Sequence, residues 1–305
     1  MTLLTVLVFP TGGALAEVRP PIDCVSPTLQ AEITAATAGD TIVIVDGSTC
    51  TGNFTVNKLL TIQAETATGA TLDGNGVDGA AVMEVTGGGD LTLQDLTVTG
   101  GVNSAGDGGG IRISTAAVTL VRTTVTANSA SNGGGIWSDG TLDITDSFIT
   151  NNTATLGGGG LQNINGGDVT VTNTEITGND AEHGGGVLNN GAGAPNPSTM
   201  VLTDSLVSTN TATGAVPGDP AGGGGIYNFS FPLETANADL TLTGTVVDGN
   251  TSAEGAAGIR NEDGTVTIDG STVTSNTASG SGGGIRTSGV MTVTGSDISE
   301  NTATS

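Results

Sequence analysis

A run of three glycines followed by one aliphatic residue recurs along most of this chain. Successive aliphatic residues of this run are separated by 25, 25, 26, 39, 33 and 26 residues. A period of this length is typical of proteins built by stacking one small structural unit many times. It therefore predicts an elongated stack of coils rather than several globular domains. The seven aliphatic residues are Ile111, Ile136, Leu161, Val187, Ile226, Ile259 and Ile285, and the run before Ile259 is degraded to Ala256-Ala257-Gly258.

Each repeat also contains two short stretches in which apolar and polar residues alternate. One is an apolar-Thr-apolar triplet such as Val118-Thr119-Leu120, and the other places an aliphatic residue three positions before an asparagine. Alternation with a period of two predicts strands that bury one face. With the glycine run, these stretches predict three short strands per coil. The aliphatic residues are Val125, Ile149, Ile176, Val207, Val247, Val273 and Ile298, and the asparagines are Asn128, Asn152, Asn179, Asn210, Asn250, Asn276 and Asn301.

Coils of about 25 residues with three strands leave room only for tight turns between the strands. Such coils can stack only as a parallel β-helix, in which each strand pairs with its equivalent about 4.8 Å away. Glycine permits the corner conformations and close backbone approach, and a stacked asparagine column can bond along its own length. The crossover rule favours the right-handed form. The predicted fold class is an all-β, right-handed, single-stranded parallel β-helix.

The N-terminal region is predicted to contain an export signal. Residues 1–16 combine an apolar stretch from Leu3 to Phe9 with Ala14-Leu15-Ala16, which is typical of a secretory signal peptide cleaved after Ala16. A buried β-strand is the alternative. The signal peptide indicates a secreted or cell-surface (extracellular) protein. No later stretch is long enough to span a membrane, so membrane insertion is not expected.

Residues 17–40 are predicted to form an N-terminal cap, and residues 41–305 the parallel β-helix, with regular repeats from about residue 91. Ser26-Pro27 can begin a short amphipathic helix whose apolar face includes Leu29, Ile33 and Ala36. A helix at this point closes the open end of the core, which otherwise exposes apolar surface and unpaired strand edges.

Cys24 and Cys50 are the two cysteines of the chain. In an exported protein a disulfide between them is the natural interpretation, and loop-closure estimates give it a stabilisation of about 3 kcal/mol. Two free buried thiols are the alternative.

Several stretches resemble known β-helix proteins. The segments 40–44, 52–62 and 70–74 look like the opening of pectin-lyase-like right-handed β-helix proteins. The later Asn-Thr-Ala and Gly-Gly-Gly-Ile units resemble the repeats of chlamydial polymorphic outer membrane proteins, although those repeats typically carry Phe-x-x-Asn and Gly-Gly-Ala-Ile. The resemblance covers about residues 22–305 and implies a surface or secreted location. It does not imply a reaction.

The chain has a formal net charge of −24 from 30 acidic and six basic residues. This balance excludes the basic footprint of a nucleic-acid-binding protein and disfavours adsorption to an anionic membrane. Solubility is one explanation for so many acidic residues, and scattered weak Ca²⁺ sites are the other. Asp73-Gly74-Asn75-Gly76 is too short a match to a calcium loop to carry that second interpretation. No cofactor is expected.

A catalytic constellation is not recognisable in the sequence. β-Helix lyases and glycosidases group acidic residues with Arg, Lys or His on adjacent coils. His183 is the only histidine, and with Glu182 it is expected to be a solvated turn residue. Arg112, Arg260 and Arg286 fall in one outward column, and without neighbouring carboxylates they are interpreted as solubilising or anion-contacting residues. The sequence therefore does not predict an enzyme, and a polysaccharide lyase or hydrolase is the alternative.

The same outward column contains the only tryptophan and the only tyrosine, Trp137 and Tyr227. Phe229 and Phe231 continue from Tyr227 with a period of two, toward insertions at 190–198 and 229–239. Exposed aromatic rings suit stacking on sugars or burial in a partner. The alternative is that the rings pack beneath the loops as a satellite core. The predicted binding residues are Trp137, Tyr227, Phe229, Phe231, Arg260 and Arg286.

Two further surfaces are an outward threonine ladder and the C-terminal end of the stack. Pairs such as Thr170/Thr172 and Thr292/Thr294 form an outward threonine ladder, which resembles ice-binding proteins but is interrupted at Asp143, Val201 and Asp269. The last repeat stops before another glycine run, so a fragment of a longer protein or end-to-end self-association through an uncapped coil is expected.

The sequence as a whole favours a non-catalytic, exported bacterial surface β-helix that acts in adhesion or as a structural stalk. Its expected partner is a protein or glycan on a host or neighbouring cell. The alternative is a polysaccharide-binding or polysaccharide-degrading β-helix, and ice binding is a third.

Overall fold

The computed structural model describes residues 15–26, 28–191, 196–214, 222–230 and 237–304. Within them the chain forms a right-handed parallel β-helix of about nine turns, preceded by one short helix, Leu29–Ala35. The predicted fold class is therefore confirmed. No helix in these ranges is long and apolar enough to cross a membrane.

Four parallel sheets run along the solenoid, numbered here in the order in which one coil passes through them. Sheet 1 consists of Thr41–Ile44, Leu60–Ala64, Asp90–Gln94, Ala117–Val121, Thr141–Thr145, Asp168–Thr172, Ser198–Thr203, Ala238–Thr243, Thr265–Asp269 and Val290–Thr294. Sheet 2 consists of Thr49–Thr51, Ala70–Asp73, Leu96–Thr99, Thr124–Thr126, Phe148–Thr150, Glu175–Thr177, Leu206–Ser208, Val246–Asp248, Thr272–Thr274 and Asp297–Ser299.

Sheets 3 and 4 complete each coil. Sheet 3 consists of Val102–Asp107, Ser129–Asn132, Thr153–Gly157, Asp180–Ala181, Thr211–Ala212, Thr251–Ser252, Thr277–Ala278 and Thr302–Ala303. Sheet 4 consists of Phe54–Val56, Met83–Thr86, Ile111–Ser114, Ile136–Ser138, Leu161–Ile164, Val187–Asn190, Ile226–Phe229, Ile259–Glu262 and Ile285–Thr287. Sheets 1, 2 and 4 are the three predicted strands. Sheet 3 is an additional short strand that begins directly after the asparagine.

The core is a set of stacked aliphatic columns enclosed by the four sheets. Val125, Ile149 and Ile176 are fully buried and pair in register along sheet 2, and Val207, Val247 and Val273 continue the column. The inward direction predicted for this column is confirmed in these coils. Ile298 ends it and is 46% exposed, because no coil covers it in the described structure.

The asparagines form the predicted ladder at the corner after sheet 2. The Oδ1 atom of Asn179 accepts hydrogen bonds from both the backbone N–H and the Nδ2 of Asn152, at 2.9 and 3.1 Å. Asn152 Oδ1 accepts the same pair from Asn128, and the arrangement continues to Asn301. Buried amides that satisfy one another in this way tie each coil to the next.

Two other ladders were not predicted. At the corner between sheets 1 and 2, backbone N–H groups donate to the hydroxyl of the next coil, as in Thr123 to Ser147 and Ser147 to Thr174. On sheet 4, Asn163 donates to Asn189 and Asn189 donates to Asn228, at 2.9 and 2.8 Å. Each coil in this region is therefore fastened at three corners as well as through its sheets.

The glycine triplet is required by close contacts between coils. Gly133 has φ +58°, a conformation that costs other residues energy. A Cβ on Gly134 would lie 2.6 Å from the carbonyl oxygen of Gly159, and one on Gly135 would lie 2.6 Å from that of Gly160. In this coil, alanine is disfavoured by backbone conformation at the first position and by contact with the neighbouring coil at the other two. The coil of Ile259 departs from the pattern, with Ala256 and Ala257 at the first two positions.

The N-terminal end of the solenoid is closed as predicted. The helix Leu29–Ala35 buries Leu29 and Ile33 against the core and is capped by the Thr28 side chain. Lys58 Nζ donates to the carbonyl oxygens of Ile33 and Ala36, at 3.1 and 3.0 Å, which satisfies groups at the end of the helix. Pro27 and most of the predicted signal peptide, residues 1–14, lie outside the described residues.

Cys24 and Cys50 form a disulfide, with their Cα atoms 5.0 Å apart. The bond joins the segment before the helix to a strand of sheet 2. The predicted pairing is therefore confirmed.

Candidate functional site: the side-chain column of sheet 4

The outward side chains of sheet 4 stack in register from coil to coil. Arg112 pairs with Trp137, and Tyr227 pairs with Arg260, as the predicted column requires. Trp137 and Tyr227 are three coils apart, which corresponds to about 14 Å. The full column is Glu84, Arg112, Trp137, Gln162, Leu188, Tyr227, Arg260 and Arg286.

Most of this column is buried rather than open to solvent. Trp137 and Tyr227 are each only 7% exposed. A Cβ on Gly133 would lie 2.7 Å from Trp137 Cβ, so the chain turns tightly against the column. Sheet 3 also approaches it, because a Cβ on Gly157 would lie 2.5 Å from Leu188 Cδ2. The two rings therefore pack as a satellite core, the alternative to an exposed aromatic patch.

Tyr227 is the centre of a polar and aromatic cluster. Its hydroxyl donates a hydrogen bond to Glu262 Oε2 at 2.6 Å, and the same oxygen is 2.6 Å from a guanidinium nitrogen of Arg260. The guanidinium carbon of Arg260 lies 5.0 Å from the centre of the Tyr227 ring, within the range of a cation–π interaction. The rings of His183 and Phe229 lie 5.9 and 5.5 Å from that of Tyr227.

A second cluster lies at the N-terminal end of the column. Arg112 forms an ion pair with Glu84 at 2.6 Å, and its guanidinium carbon lies 5.4 Å from the centre of the Trp137 ring. A cavity of about 240 Å³ opens beside this pair, lined also by Asn103 and Asp107. Each of the two buried aromatic rings is thus covered by an arginine that a carboxylate neutralises.

These contacts correct two predictions. Arg112 and Arg260 do have neighbouring carboxylates, Glu84 and Glu262, because residues one coil before or two positions later point to the same place. His183 is half-buried against Tyr227 rather than a solvated turn residue, and Glu182 is only 9% exposed.

The remaining predicted binding residues differ in their surroundings. Arg286 is exposed, Phe229 is half-buried, and Phe231 lies outside the described residues. Glu84 and Glu262 were missed by sequence reasoning. Register would have identified both, since Glu84 precedes Arg112 in the column and Glu262 pairs with Phe229.

The Tyr227 cluster has groups that can move a proton and bind an anion. A tyrosine hydroxyl held by a carboxylate can exchange a proton, and a guanidinium can bind a carboxylate or phosphate. In this cluster, however, the charge of Arg260 is already balanced by Glu262, and Arg260 is only 4% exposed. Within the described ranges, no group of three or more His, Cys, Asp or Glu side chains is arranged to hold a metal ion.

Comparison with known proteins identifies relatives in fold only. No family model and no curated protein sequence matches this chain. Among solved structures, the pectate lyase Pel9A is similar over 88% of this chain and 72% of its own, with a TM-score of 0.52 and 15% identity. An alginate lyase from Paenibacillus sp. str. FPU-7 aligns over 96% of this chain and 100% of its own, at a TM-score of 0.36 and 16% identity. The chain shares the parallel β-solenoid fold of the pectate lyase.

Proposed function

We propose that this chain is an exported, non-catalytic β-helix that acts at the bacterial cell surface as a rigid stalk or adhesive element. The observation that carries the proposal is the fastening of each coil to the next. Parallel sheets and three side-chain ladders join neighbouring coils in the middle of the solenoid, through buried amides and hydroxyls that form hydrogen bonds from coil to coil. A solenoid fastened in this way is expected to be rigid and to keep a fixed length without a hinge. The disulfide Cys24–Cys50 supports an oxidising, extracellular location.

The use of the basic residues favours a non-catalytic role over cleavage of an acidic polysaccharide. The chain has six Lys and Arg residues, all within the described ranges. Five of them are engaged internally: Arg19 with Glu32, Lys58 with helix carbonyls, Arg112 with Glu84, Arg122 with Asp95 and Arg260 with Glu262. A pectate chain is a polyanion, and a net charge of −24 repels it.

The stalk role is tested on the full-length chain produced with its own N-terminus in a bacterial host. We expect the chain in the surface or medium fraction, removed from intact cells by external protease. Small-angle scattering of the purified chain should give a rod whose length matches about nine coils at about 4.8 Å each. Retention of the chain in the cytosol, or a flexible particle, contradicts the proposal.

Polysaccharide cleavage is the second candidate, and the Tyr227–Glu262–Arg260 contacts are the observation that favours it. Similarity in fold to a pectate lyase adds to it. β-Elimination needs a base for one proton, an acid for the leaving group and a cation beside the substrate carboxylate, and these three side chains supply such groups. The test is to incubate the chain with pectate and alginate, with and without Ca²⁺, and to follow the unsaturated product by ultraviolet absorbance. Turnover that Tyr227→Phe abolishes while the fold is retained would replace the stalk proposal.

The predicted binding patch belongs to the adhesive role and is likewise a proposal. Arg286 and Phe229 are its accessible described members, beside the insertions at 190–198 and 229–239. Binding of the purified chain to cells or glycans should weaken when both Phe229 and Arg286 are replaced by serine. Unchanged binding by that variant removes the patch from the proposal.

A further inference from the structure

A groove of about 450 Å³ runs along the corner where sheet 1 turns into sheet 2. One wall is a column of corner residues from four consecutive coils, Asp146, Asn173, Asp204 and Gly244, all with positive φ. The other wall is the outward column of sheet 2 in the same coils, Phe148, Glu175, Leu206 and Val246. The buried hydroxyl ladder, with Ser147, Thr174 and Ser205, forms the floor.

The groove combines apolar surface with negative charge. Phe148 is 44% exposed, and Leu206 and Val246 are half-buried further along the same column, beyond Glu175. Asp146, Glu175 and Asp204 line the same groove, and no residue that lines it is basic. Phe148 is the one exposed aromatic side chain among the large exposed hydrophobic residues of the described chain, and it shares its column with two aliphatic side chains. Exposed apolar patches mark interaction sites.

Two of the three carboxylates are not used to hold the fold together. Asp146 accepts a hydrogen bond from Asn173 and interacts electrostatically with Arg122, whereas the side-chain carboxylates of Glu175 and Asp204 have no hydrogen-bond partner among the described residues. A Cβ at Gly244 would collide with Asp204 Oδ1, so the absence of a side chain there leaves that carboxylate open to the groove. The Asp204 carboxylate is therefore unpaired within the chain and open to a ligand in the groove.

We propose that this groove binds an extended, basic segment of a partner protein. The segment pairs lysine or arginine with Asp146 and Asp204, on either side of Glu175, and packs apolar side chains on Phe148, Leu206 and Val246. A second copy of this chain is a poor occupant, because each copy carries a net charge of −24. The inference rests on the proposed adhesive role, for which it names the chemistry of a partner.

The distance between Asp146 and Asp204 indicates which backbone conformation of a bound basic segment fits the groove. Asp146 and Asp204 lie two coils apart along the groove, which corresponds to about 9.6 Å. A β-strand repeats the same face every two residues, at about 6.7 Å, whereas a polyproline II helix does so every three residues, at about 9.3 Å. A polyproline II segment with a basic residue at every third position therefore places two successive basic residues beside Asp146 and Asp204, with Glu175 midway between them.

The test uses the full chain and a blocked peptide of three Lys-Pro-Leu repeats, followed by calorimetry or fluorescence anisotropy. We expect binding that weakens with salt. Replacing both Glu175→Gln and Asp204→Asn should weaken it about two- to thirtyfold, since exposed ion pairs contribute about 0.2–1 kcal/mol each. Phe148→Thr, which copies the threonine at position 124 of the same column, should weaken it independently. Asp297→Asn, in that column but beyond the groove, is the matched control and should have no effect.

Four results with the peptide overturn the inference. They are no binding of the peptide, equal binding by the parent and the groove variants, equal weakening by Asp297→Asn, and equal binding of the same peptide with its lysines acetylated. Tighter binding of a cationic amino-sugar polymer, or of Ca²⁺ alone, assigns the groove to another ligand and also overturns it. Circular dichroism of each variant separates loss of the site from loss of the fold. The surface location is measured separately, so the groove can fail while the stalk role stands.

Discussion

The hydroxyl of Tyr227 and the carboxylate of Glu262, 35 residues apart in sequence, are joined by a hydrogen bond of 2.6 Å. Parallel stacking makes this contact, because Glu262 lies one coil further along and two positions beyond the column of Tyr227. The carboxylate also neutralises Arg260, which is 4% exposed. Since the contact joins two coils and partly balances a buried charge, its removal should be measurable.

Glu262→Ala should lower the free energy of unfolding by about 1–3 kcal/mol, because it takes a charged acceptor from a buried guanidinium and from a hydroxyl. Glu84→Ala is the control at the equivalent pair with Arg112, in which the side chains of Arg112 and Glu84 are 34% and 38% exposed. That change should cost less than about 1 kcal/mol. Denaturant unfolding of both variants measures the difference, and equal losses would mean that burial of Arg260 does not strengthen the contact.

The repeat pattern predicted those parts of the structure in which the same residue type recurs at the equivalent position of successive coils. The core columns, the ladder from Asn128 to Asn301 and the shared column of Trp137 and Tyr227 all follow from counting residues between repeats. The fourth strand of each coil was missed because it has as few as two residues, as at Asp180–Ala181, too few to show alternation.

The surroundings of the side-chain column could not be predicted in the same way. Burial of Trp137 depends on how closely the turn at Gly133 and the strands of sheet 3 approach it, a distance that no sequence pattern contains. The pairing of Arg260 with Glu262 depends on side-chain conformations. The groove between Asp146 and Phe148 could not be predicted, because the residues of its two walls form no recognisable motif within any one repeat.

Asn179→Ala should destabilise the middle of the solenoid by about 3 kcal/mol or more. Asn179 is 1% exposed, accepts two hydrogen bonds from Asn152 and donates its side-chain amide to Asn210, so truncation leaves several buried polar groups unsatisfied. Asn301→Ala, at the partly exposed end of the ladder, should cost less. Hydrogen exchange at the Asn152 amide provides a local readout. Protection there that is unchanged in Asn179→Ala would contradict the role of the ladder.

Gly135→Ala should be more damaging than an alanine at a glycine with open surroundings. A Cβ on Gly135 would lie 2.6 Å from the Gly160 carbonyl oxygen and 2.9 Å from Asn152 Nδ2, so the coils must separate, at a cost of about 3 kcal/mol or more. Gly249 has φ +60°, and a Cβ added there would have no neighbour within 4 Å, so Gly249→Ala should cost only about 1–2 kcal/mol. Thermal unfolding of both variants tests this, and a larger loss for Gly249→Ala would show that backbone conformation outweighs contact.

Replacing both Cys24 and Cys50 by serine should destabilise the chain by about 3 kcal/mol, as expected for opening a loop closed across a sequence separation of 26 residues. The loss should be concentrated at the N-terminal cap, which hydrogen exchange in Leu29–Ala35 reports. Mass spectrometry of the unreduced parent should show two hydrogens fewer than the reduced form. Unchanged protection of the helix in the serine variant would show that the cap is held by packing alone.

Acid should loosen the N-terminal cap through Asp40. This carboxylate accepts hydrogen bonds from the backbone N–H of Thr37, that of Glu17 and the Thr37 hydroxyl, at 2.9, 3.0 and 2.9 Å. The Thr37 N–H bond foremost, with the other bonds and nearby Arg19, holds the pKa of Asp40 below its usual value. The stabilisation is complete above the usual aspartate pKa of about 4 and is lost as pH falls through the lower folded-state value. Asp40→Asn should therefore lower thermal stability at neutral pH and matter less in acid.

Asp180 should show the opposite dependence on pH. It lies between Thr153 and Thr211 in the column of sheet 3, and burial raises the pKa of its carboxyl. Below the usual pKa of about 4 the group is protonated in both states and costs little. As pH rises through that value, the unfolded chain releases the proton before the folded one does, so stability falls until the pH exceeds the folded-state pKa. Asp180→Thr, which restores the threonine column, should therefore raise the melting temperature at neutral pH and have less effect at about pH 3.

Asp143→Thr is the matched control for Asp180→Thr, because Asp143 interrupts the threonine ladder of sheet 1 at an exposed position. Its replacement should change stability by less than about 0.5 kcal/mol, as for most surface substitutions. If Asp180→Thr gives the same gain at neutral and acidic pH, the benefit comes from the threonine side chain. A gain present only where the carboxylate is ionised shows instead that desolvation of the Asp180 carboxylate lowers the stability of the parent chain. The surrounding ladders then hold the coil in place although burial disfavours the charge.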